Sequence, residues 1–442
     1  MDRTTAPPSN KMGRVAFASL AGTTIEFYDF FIYAIATALV FESVFFPALG
    51  AAAGTAAALA TFGVAFVARP FGSILFGHFG DRLGRKKTLV TTLLLMGFAT
   101  VAVGLLPSAE SIGATAPVLL VALRILQGLA VGGEWAGATL LTAENAPQHK
   151  RGLYGLFPQL GPSLAFMLAS ATFLVTTLSM SEAAFAAWGW RLPFLISVVL
   201  VGVGLYVRLR IVESSVFTEA VSTDKSTRLP VAEALSRQPR DVLLGGGALI
   251  MVFGFFYMGV TYLTSYGTEE LALSLPTVLS AGIIAGLVFA ITTILSAIYS
   301  DRIGRRKMIL GGNAAAVLIG LVLFPILDIG GAVAFCAGMS LTLAVVGWSY
   351  GPAGAMLPEI FATRYRYTGA GIAYNLAGVV GGGITPLIAS QLAVSYGGTA
   401  IGIYLAAIAL ISLLSMAALR ESKGNTLTTV GHREPAVSPA EV

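Results

Sequence analysis

The chain has 442 residues, of which 56% are hydrophobic and only 11% charged, with a mean hydropathy of +0.82. So few charges cannot cover the surface of a water-soluble globule of this length, which excludes the soluble classes and marks an integral membrane protein. The net charge of +5 would point to nucleic acid in a soluble protein; here the lysines and arginines fall between apolar runs, and nucleic acid is excluded as a partner.

Residues 1–14 are polar, contain two adjacent prolines and three basic residues (Arg3, Lys11, Arg14), and lack a small-residue cleavage site, so they read as an N-terminal tail. Apolar runs then recur at roughly 15–41, 55–77, 88–107, 116–141, 153–178 and 190–209, and again at 241–266, 275–299, 308–327, 331–357, 367–394 and 399–419. Each is close to or above the roughly 20 residues a helix needs to cross about 30 Å of hydrocarbon. The one long polar segment, 210–240 (Glu213, Glu219, Asp224, Lys225, Arg228, Arg237, Arg240), is a central loop that separates a six-helix bundle over 15–209 from a second over 241–419. Residues 420–442 form a tail rich in Pro, Ser and Thr, without heptads. The expected fold is all-α, with about twelve transmembrane helices in two pseudo-symmetric bundles embedded in a lipid bilayer.

Basic residues cluster in the tails, the even-numbered loops and the span ends beside them, leaving Arg69, Arg124 and Arg191 elsewhere. The odd-numbered loops carry Glu42, Glu110, Glu182, Glu269, Glu270 and Asp328. This asymmetry predicts that both termini are cytoplasmic. Cys336 is the single cysteine and the three histidines are dispersed, so neither a disulfide nor a metal site is expected.

Three loop motifs occur twice, in the same order. Gly77-His-Phe-Gly-Asp81-Arg82-Leu-Gly84-Arg85-Lys86-Lys87 after the second span returns as Ala297-Ile-Tyr-Ser-Asp301-Arg302-Ile-Gly304-Arg305-Arg306-Lys307 after the eighth. Glu144 and Arg151 after the fourth span return as Glu359 and Arg366 after the tenth, and Glu213-Ser214 returns as Glu421-Ser422. Gly84 and Gly304 suit backbone at positive φ. Asp81 and Asp301 can pair with neighbouring arginines or cap an adjacent helix N-terminus; the basic residues can equally be plain topology markers. A duplicated six-span unit predicts a site between the halves near the midplane, exposed to each side in turn.

Ionisable side chains inside spans are costly and each needs a partner or a task. Glu26 and Asp29 are neighbours on one helical face, as a proton-coupling pair requires, and Glu134 joins them as a third candidate. Arg124 and Arg69 suit a bidentate hold on a carboxylate, although Arg69 before Pro70 can also serve carbonyls freed at a kink. Gln127 and Trp135 share a stripe with Arg124 and Glu134, and the span's glycines suit close helix packing, which Glu134 can also serve through a bond to a neighbour. The second half offers Tyr257, Trp348 and Asn375 as substrate contacts, with packing the alternative for the aromatics.

The duplicated loops and the six-plus-six layout resemble the major facilitator superfamily. Glu26-Phe-Tyr-Asp29-Phe, Phe66-Val-Ala-Arg69-Pro70-Phe-Gly72, Gly132-Gly-Glu134-Trp135 and Trp188-Gly-Trp-Arg191-Leu-Pro193-Phe resemble its metabolite:proton symporter branch, which includes bacterial permeases for shikimate, α-ketoglutarate, citrate and proline or betaine. The resemblance implies a non-enzymatic, monomeric carrier of the inner membrane that imports a small polar organic acid or zwitterion with protons and uses no cofactor beyond the proton gradient. It also implies a gate built from Asp81, Arg82, Gly84, Arg85, Glu144, Arg151, Asp301, Arg302, Glu359 and Arg366. Ala297 in place of the first glycine departs from the motif. Gly161-Pro162 followed by Ser163-Leu-Ala-Phe-Met, without paired glycines, disfavours an exporter, which with a transporter-like receptor is the alternative.

Overall fold

The computed structural model describes residues 12–83, 85–209, 230–362 and 366–424, with side chains placed except at 14, 51, 52, 77–83, 85, 86, 141, 144, 145 and 230–232. Among the described residues there is no strand. Spans 1 to 3 are the helices Met12–Leu39, Ala51–Leu83 and Arg85–Leu105. Span 4 is broken into Thr115–Val131 and Glu134–Asn145; spans 5 and 6 are Arg151–Leu178 and Leu192–Leu209. Span 7 runs in pieces from Pro239 to Glu269 with a π-helical turn at Met258–Tyr262. Spans 8, 9 and 10 are Leu275–Ile303, Arg305–Leu327 and Gly331–Ile360.

The last apolar helical stretch, Arg366–Ala418, is 53 residues long. At 1.5 Å per residue that is about 80 Å, more than twice the hydrocarbon thickness. Gly397 interrupts it at φ 74°, a backbone only glycine adopts readily. Thr385 Oγ1 lies 3.0 Å from the Tyr404 hydroxyl, which in one straight helix would be about 28 Å away. The chain therefore doubles back at Gly397, and the eleven long apolar helices among the described residues make twelve crossings.

Large apolar side chains such as Phe98, Leu178 and Val199 are exposed on the helix surfaces, as lipid contact requires. The central spans differ: 72% of span 1 and 83% of span 7 in their most apolar windows are buried, against 28% of span 6. The sequence halves meet along span 5 against span 8 and span 2 against span 11, which are equivalent pairs under the repeat. Within the first half, a Cβ at Gly132 would lie 2.0 Å from the Arg69 carbonyl and one at Gly128 2.3 Å from that of Ala65, so spans 2 and 4 pack backbone to backbone. That approach brings the arginines of both spans to one place.

Candidate functional site: a charged chamber and a charged end

Three helical stripes converge on the centre of the molecule. Span 1 contributes Glu26, Asp29, Phe30 and Tyr33, span 2 Phe62, Phe66 and Arg69, and span 4 Arg124 and Gln127, all buried and all at spacings of three or four. Span 7 closes the group with Tyr257, whose ring meets those of Phe30, Phe62 and Phe66 at 5.8, 5.2 and 4.9 Å.

The polar groups of this chamber are short of partners. Both carboxylate oxygens of Glu26 and of Asp29, and the Nε of Arg69 and of Arg124, have no hydrogen-bond partner among the described residues. Arg124 donates to Gln127 Oε1 at 2.8 Å and, weakly, to the Phe62 carbonyl at 3.4 Å; Gln127 in turn donates to Thr100 at 2.8 Å. The two guanidiniums are held by aromatic faces. Arg69 lies 4.5 Å from the Phe30 and Phe66 ring centres, and Arg124 lies 4.7 Å from Phe30 and 3.7 Å from Tyr33. Two permanent cations thus share one phenyl ring in a water-poor interior, an arrangement that favours an anion between them.

Glu134 stands apart from the chamber carboxylates: it is ion-paired with Arg208 of span 6, which also donates to the Leu89 carbonyl. The break in span 4 at Gly132 and Gly133 frees two carbonyls. Asn375 Nδ2 donates to that of Gly132 at 3.1 Å and the Tyr367 hydroxyl to that of Gly133, tying span 4 to span 11. Trp135 stacks on Tyr374 at 3.7 Å and donates to Gln159 Oε1 at 3.0 Å; Gln159 donates to the Tyr350 carbonyl at 2.9 Å, and the Tyr350 and Tyr374 hydroxyls are 3.0 Å apart. Spans 4, 5, 10 and 11 are joined in one ring. A cavity of about 20 Å³, room for a single water, lies beside this ring, lined by Tyr350 and Tyr374 and by Tyr257 of the chamber.

At the end of the molecule that carries the even-numbered loops, the second-half motifs converge. Asp301 accepts from the backbone N–H of Gly152 at 2.9 Å and Leu153 at 3.0 Å, capping span 5 of the opposite half. A Cβ at Gly152 would lie 2.6 Å from the Ala297 carbonyl, so this crossing requires glycine. Arg305 pairs with Asp301 at 2.8 Å and Glu359 at 3.3 Å, and Arg151 lies 4.0 Å from Glu359. Ser422 donates to Glu359 at 2.8 Å, while Glu421 caps span 9 by accepting from the Arg305 N–H at 2.9 Å.

The profile of the Major Facilitator Superfamily matches residues 19–374, most of the chain. The chain belongs to the major facilitator superfamily. It is 43% identical over 425 residues to the inner membrane metabolite transport protein YhjE of Escherichia coli strain K12, covering 95% of this chain and 97% of that protein. It is 38% identical over 416 residues to the shikimate transporter of the same strain (93% and 95% covered), and 30% identical over 429 residues to its proline/betaine transporter (94% and 85%). The structure of the proton:xylose symporter XylE matches with a TM-score of 0.74 at 19% identity, over 95% of this chain and 98% of that one, which shows a common fold. As a superfamily member the chain is a multi-pass membrane transporter of small molecules and not an enzyme.

Within this superfamily member, Glu26, Asp29, Arg69, Arg124, Gln127 and Tyr257 come together in the chamber, whereas several other expected residues go elsewhere. Trp135 and Asn375 belong to contacts between spans 4, 5, 10 and 11. Trp348 packs on Gly311 and Gly312 of span 9, about half a turn around span 10 from Tyr350. Arg302 is exposed and offers its carbonyl to Lys423, so the working arginine of the second loop is Arg305, one turn from Asp301 on the same face. The Glu-x6-Arg motifs act crosswise, Arg151 of one half against Glu359 of the other; Arg366 donates to the Phe361 carbonyl. Gly304 has φ 113°, as its place in the motif predicts. Gly84 and the side chains of Asp81, Arg82, Arg85 and Glu144 lie outside the described residues, as do 1–11, 210–229 and 425–442 of the expected tails and central loop. Sequence reading missed the Phe30–Phe62–Phe66 cage, whose rings look like ordinary core, and Arg208, which looks like a loop-side topology marker.

Proposed function

We propose that this protein imports a small organic acid or zwitterion together with protons, its two six-helix bundles rocking to expose the chamber to either side. The observation that carries the reading is the chamber itself, where two caged guanidiniums without a carboxylate partner face two carboxylates without a hydrogen-bond partner. Arg69 and Arg124 bind the substrate carboxylate. Asp29 and Glu26 form the site of the coupled proton, which neutralises whichever of the two holds it while the chamber is closed. The names of the relatives support this substrate class, since shikimate, proline and betaine all bear a carboxylate. The charge network that joins span 5 to spans 8 to 10 holds the even-numbered-loop end shut. The loop charges support placing that end, with both termini, on the cytoplasmic side of the inner membrane.

The test is uptake of labelled shikimate, α-ketoglutarate, citrate, proline and betaine into cells expressing the wild type or Asp29→Asn, with and without a protonophore. Uptake that collapses under both perturbations supports symport. Uptake indifferent to both rules out proton coupling, and proton-driven loss of a preloaded compound would instead identify an exporter.

A further inference from the structure

Arg208 stands between two buried carboxylates. Its guanidinium is paired with Glu134 and anchored to the Leu89 carbonyl at the start of span 3, and it is buried although it lies at the last turn of span 6. It also lies against span 1: a Cβ added to Gly22 would sit 3.6 Å from its Nη2. Glu26 is one helical turn beyond Gly22 on the same face, within electrostatic reach of Arg208 and Arg69, and both its oxygens are unpartnered. The remaining ionisable groups that bear on Glu26 are Asp29 on its own helix, Tyr257 of span 7 and Tyr350 of span 10, none of them a cation. One cation is therefore engaged by one carboxylate and stands a turn away from another.

We propose that Arg208 is a counter-ion exchanged between Glu134 and Glu26, and that Glu134 thereby holds the proton after it leaves the chamber. The inference rests on the proton-coupled reading above and gives the proton its next station. In the arrangement seen, Arg208 is paired with Glu134; in the proposed cycle this is the state in which Glu26 carries the proton. When the Glu26 O–H gives up its proton, the new carboxylate draws Arg208 across one turn of span 1. Glu134, left buried without a counter-ion, takes up one proton on its carboxylate oxygen. One proton has moved from Glu26 to Glu134, Arg208 remains cationic, and the net charge of the three groups is unchanged. A second buried anion is thus never left bare, which is the costly state that the low-dielectric interior forbids. Glu134 opens the helix Glu134–Asn145, which leads to the even-numbered-loop end, so the relay runs from the chamber towards that side. Arg208 acts through the two carboxylates, as a positioning residue.

The test is an infrared titration of the full-length protein reconstituted in liposomes, reading the protonated-carboxyl band of each acid by its loss in Glu26→Gln or Glu134→Gln. Glu134→Gln should leave Arg208 to Glu26 alone and lower the midpoint of the Glu26 band by at least about one pH unit, a tenfold change in proton affinity. By reciprocity Glu26→Gln should lower that of Glu134 by the same amount, which serves if one variant does not fold. Arg208→Gln should raise both midpoints, and Arg208→Lys should keep the coupling. A Glu26 midpoint unmoved by Glu134→Gln in folded protein would overturn the exchange and leave Arg208–Glu134 as a structural clamp. Proton-independent uptake by the wild type would sink the symport reading yet leave the titration result standing, so the two failures are distinguishable.

Discussion

The chamber and the even-numbered-loop end are built from the same residue types, yet the carboxylates of one are starved of partners and those of the other are engaged. At the loop end, Asp301, Glu359 and Glu421 each take two or more hydrogen bonds or ion pairs, and Arg305 bonds to a carbonyl and two carboxylates. In the chamber, Glu26 and Asp29 have no partner among the described residues beyond a weak contact of Asp29 with Thr100, and the arginines rest on rings. Carboxylates already engaged by cations and backbone N–H groups hold surfaces together; buried carboxylates without such partners are costly until a ligand or proton completes them. The difference separates what locks the transporter from what it carries.

The sharpest way to break the comparison is to remove one member from each side. Asp29→Asn should abolish protonophore-sensitive accumulation while leaving thermal stability near wild type, because asparagine keeps an oxygen for the Thr100 contact and no other partner is seen among the described residues. Glu359→Ala should do the reverse. It leaves Arg305 with Asp301 as its one carboxylate and removes the acceptor of Ser422 and a neighbour of Arg151, at a cost of about 1.5–3 kcal/mol for lost bonds to a buried charge, visible as a fall in the thermal midpoint in detergent. If both variants lost stability equally, the chamber would be structural. Arg124→Lys should sharpen the contrast from the substrate side. Lysine keeps the charge but loses the fork and the stacking on Tyr33, so half-saturation for a carboxylate substrate should rise about 10- to 100-fold, equivalent to roughly 1.5–3 kcal/mol, with a smaller change in maximal rate.

Much of this division was legible in the sequence. The span lengths and the duplicated loops announced twelve helices and two equivalent halves, because the thickness of the bilayer dictates the length of every apolar run. Glu26, Asp29, Arg69 and Arg124 were visible as charges in apolar surroundings. Capping of a helix N-terminus was one of two readings that the position of Asp301 left open beside pairing with an arginine, and nothing said which helix: span 5 lies in the other half, and sequence spacing says nothing about distance across an interface. For the same reason Arg151 could not be matched to Glu359. Trp348 and Tyr350 are adjacent in sequence terms yet lie on different sides of span 10, and nothing in composition tells which side faces span 9. Arg208 was hidden by its address, at the border between an apolar run and a basic loop, where a solvated arginine is the usual occupant.

Gly152→Ala tests how much of the closed end depends on backbone approach instead of charge. The added methyl meets the Ala297 carbonyl and Asp301 Oδ1 at under 3 Å, so span 5 must retreat from span 8 or the cap must lengthen. Overpacking of this kind costs about 1–3 kcal/mol. Because the strain exists only while the two helices are in contact, it should favour the state open at this end, read as increased accessibility of a cysteine placed at Tyr154 in a Cys336→Ser background. Unchanged accessibility would mean that the crossing is not released during transport.

The smallest effect belongs at the solvent edge of the same network. Glu421 is exposed, and besides the span 9 N–H groups it accepts from the N–H of Ser422 and Lys423, both at 3.0 Å. Glu421→Gln keeps one oxygen acceptor for these donors and loses only the full charge at the helix N-terminus, worth about 0.3–1 kcal/mol at low ionic strength. Water and salt screen that charge, whereas Glu359 next to it is 1% exposed and screened by neither. The loss of thermal stability in Glu421→Gln should therefore fade as salt is raised, while that in Glu359→Ala persists. A salt-independent loss at Glu421 would mean that its role is geometric, a buckle that holds the chain after span 12 against the gate through both oxygens, and that the boundary between locking charge and solvated charge lies further out than its exposure indicates.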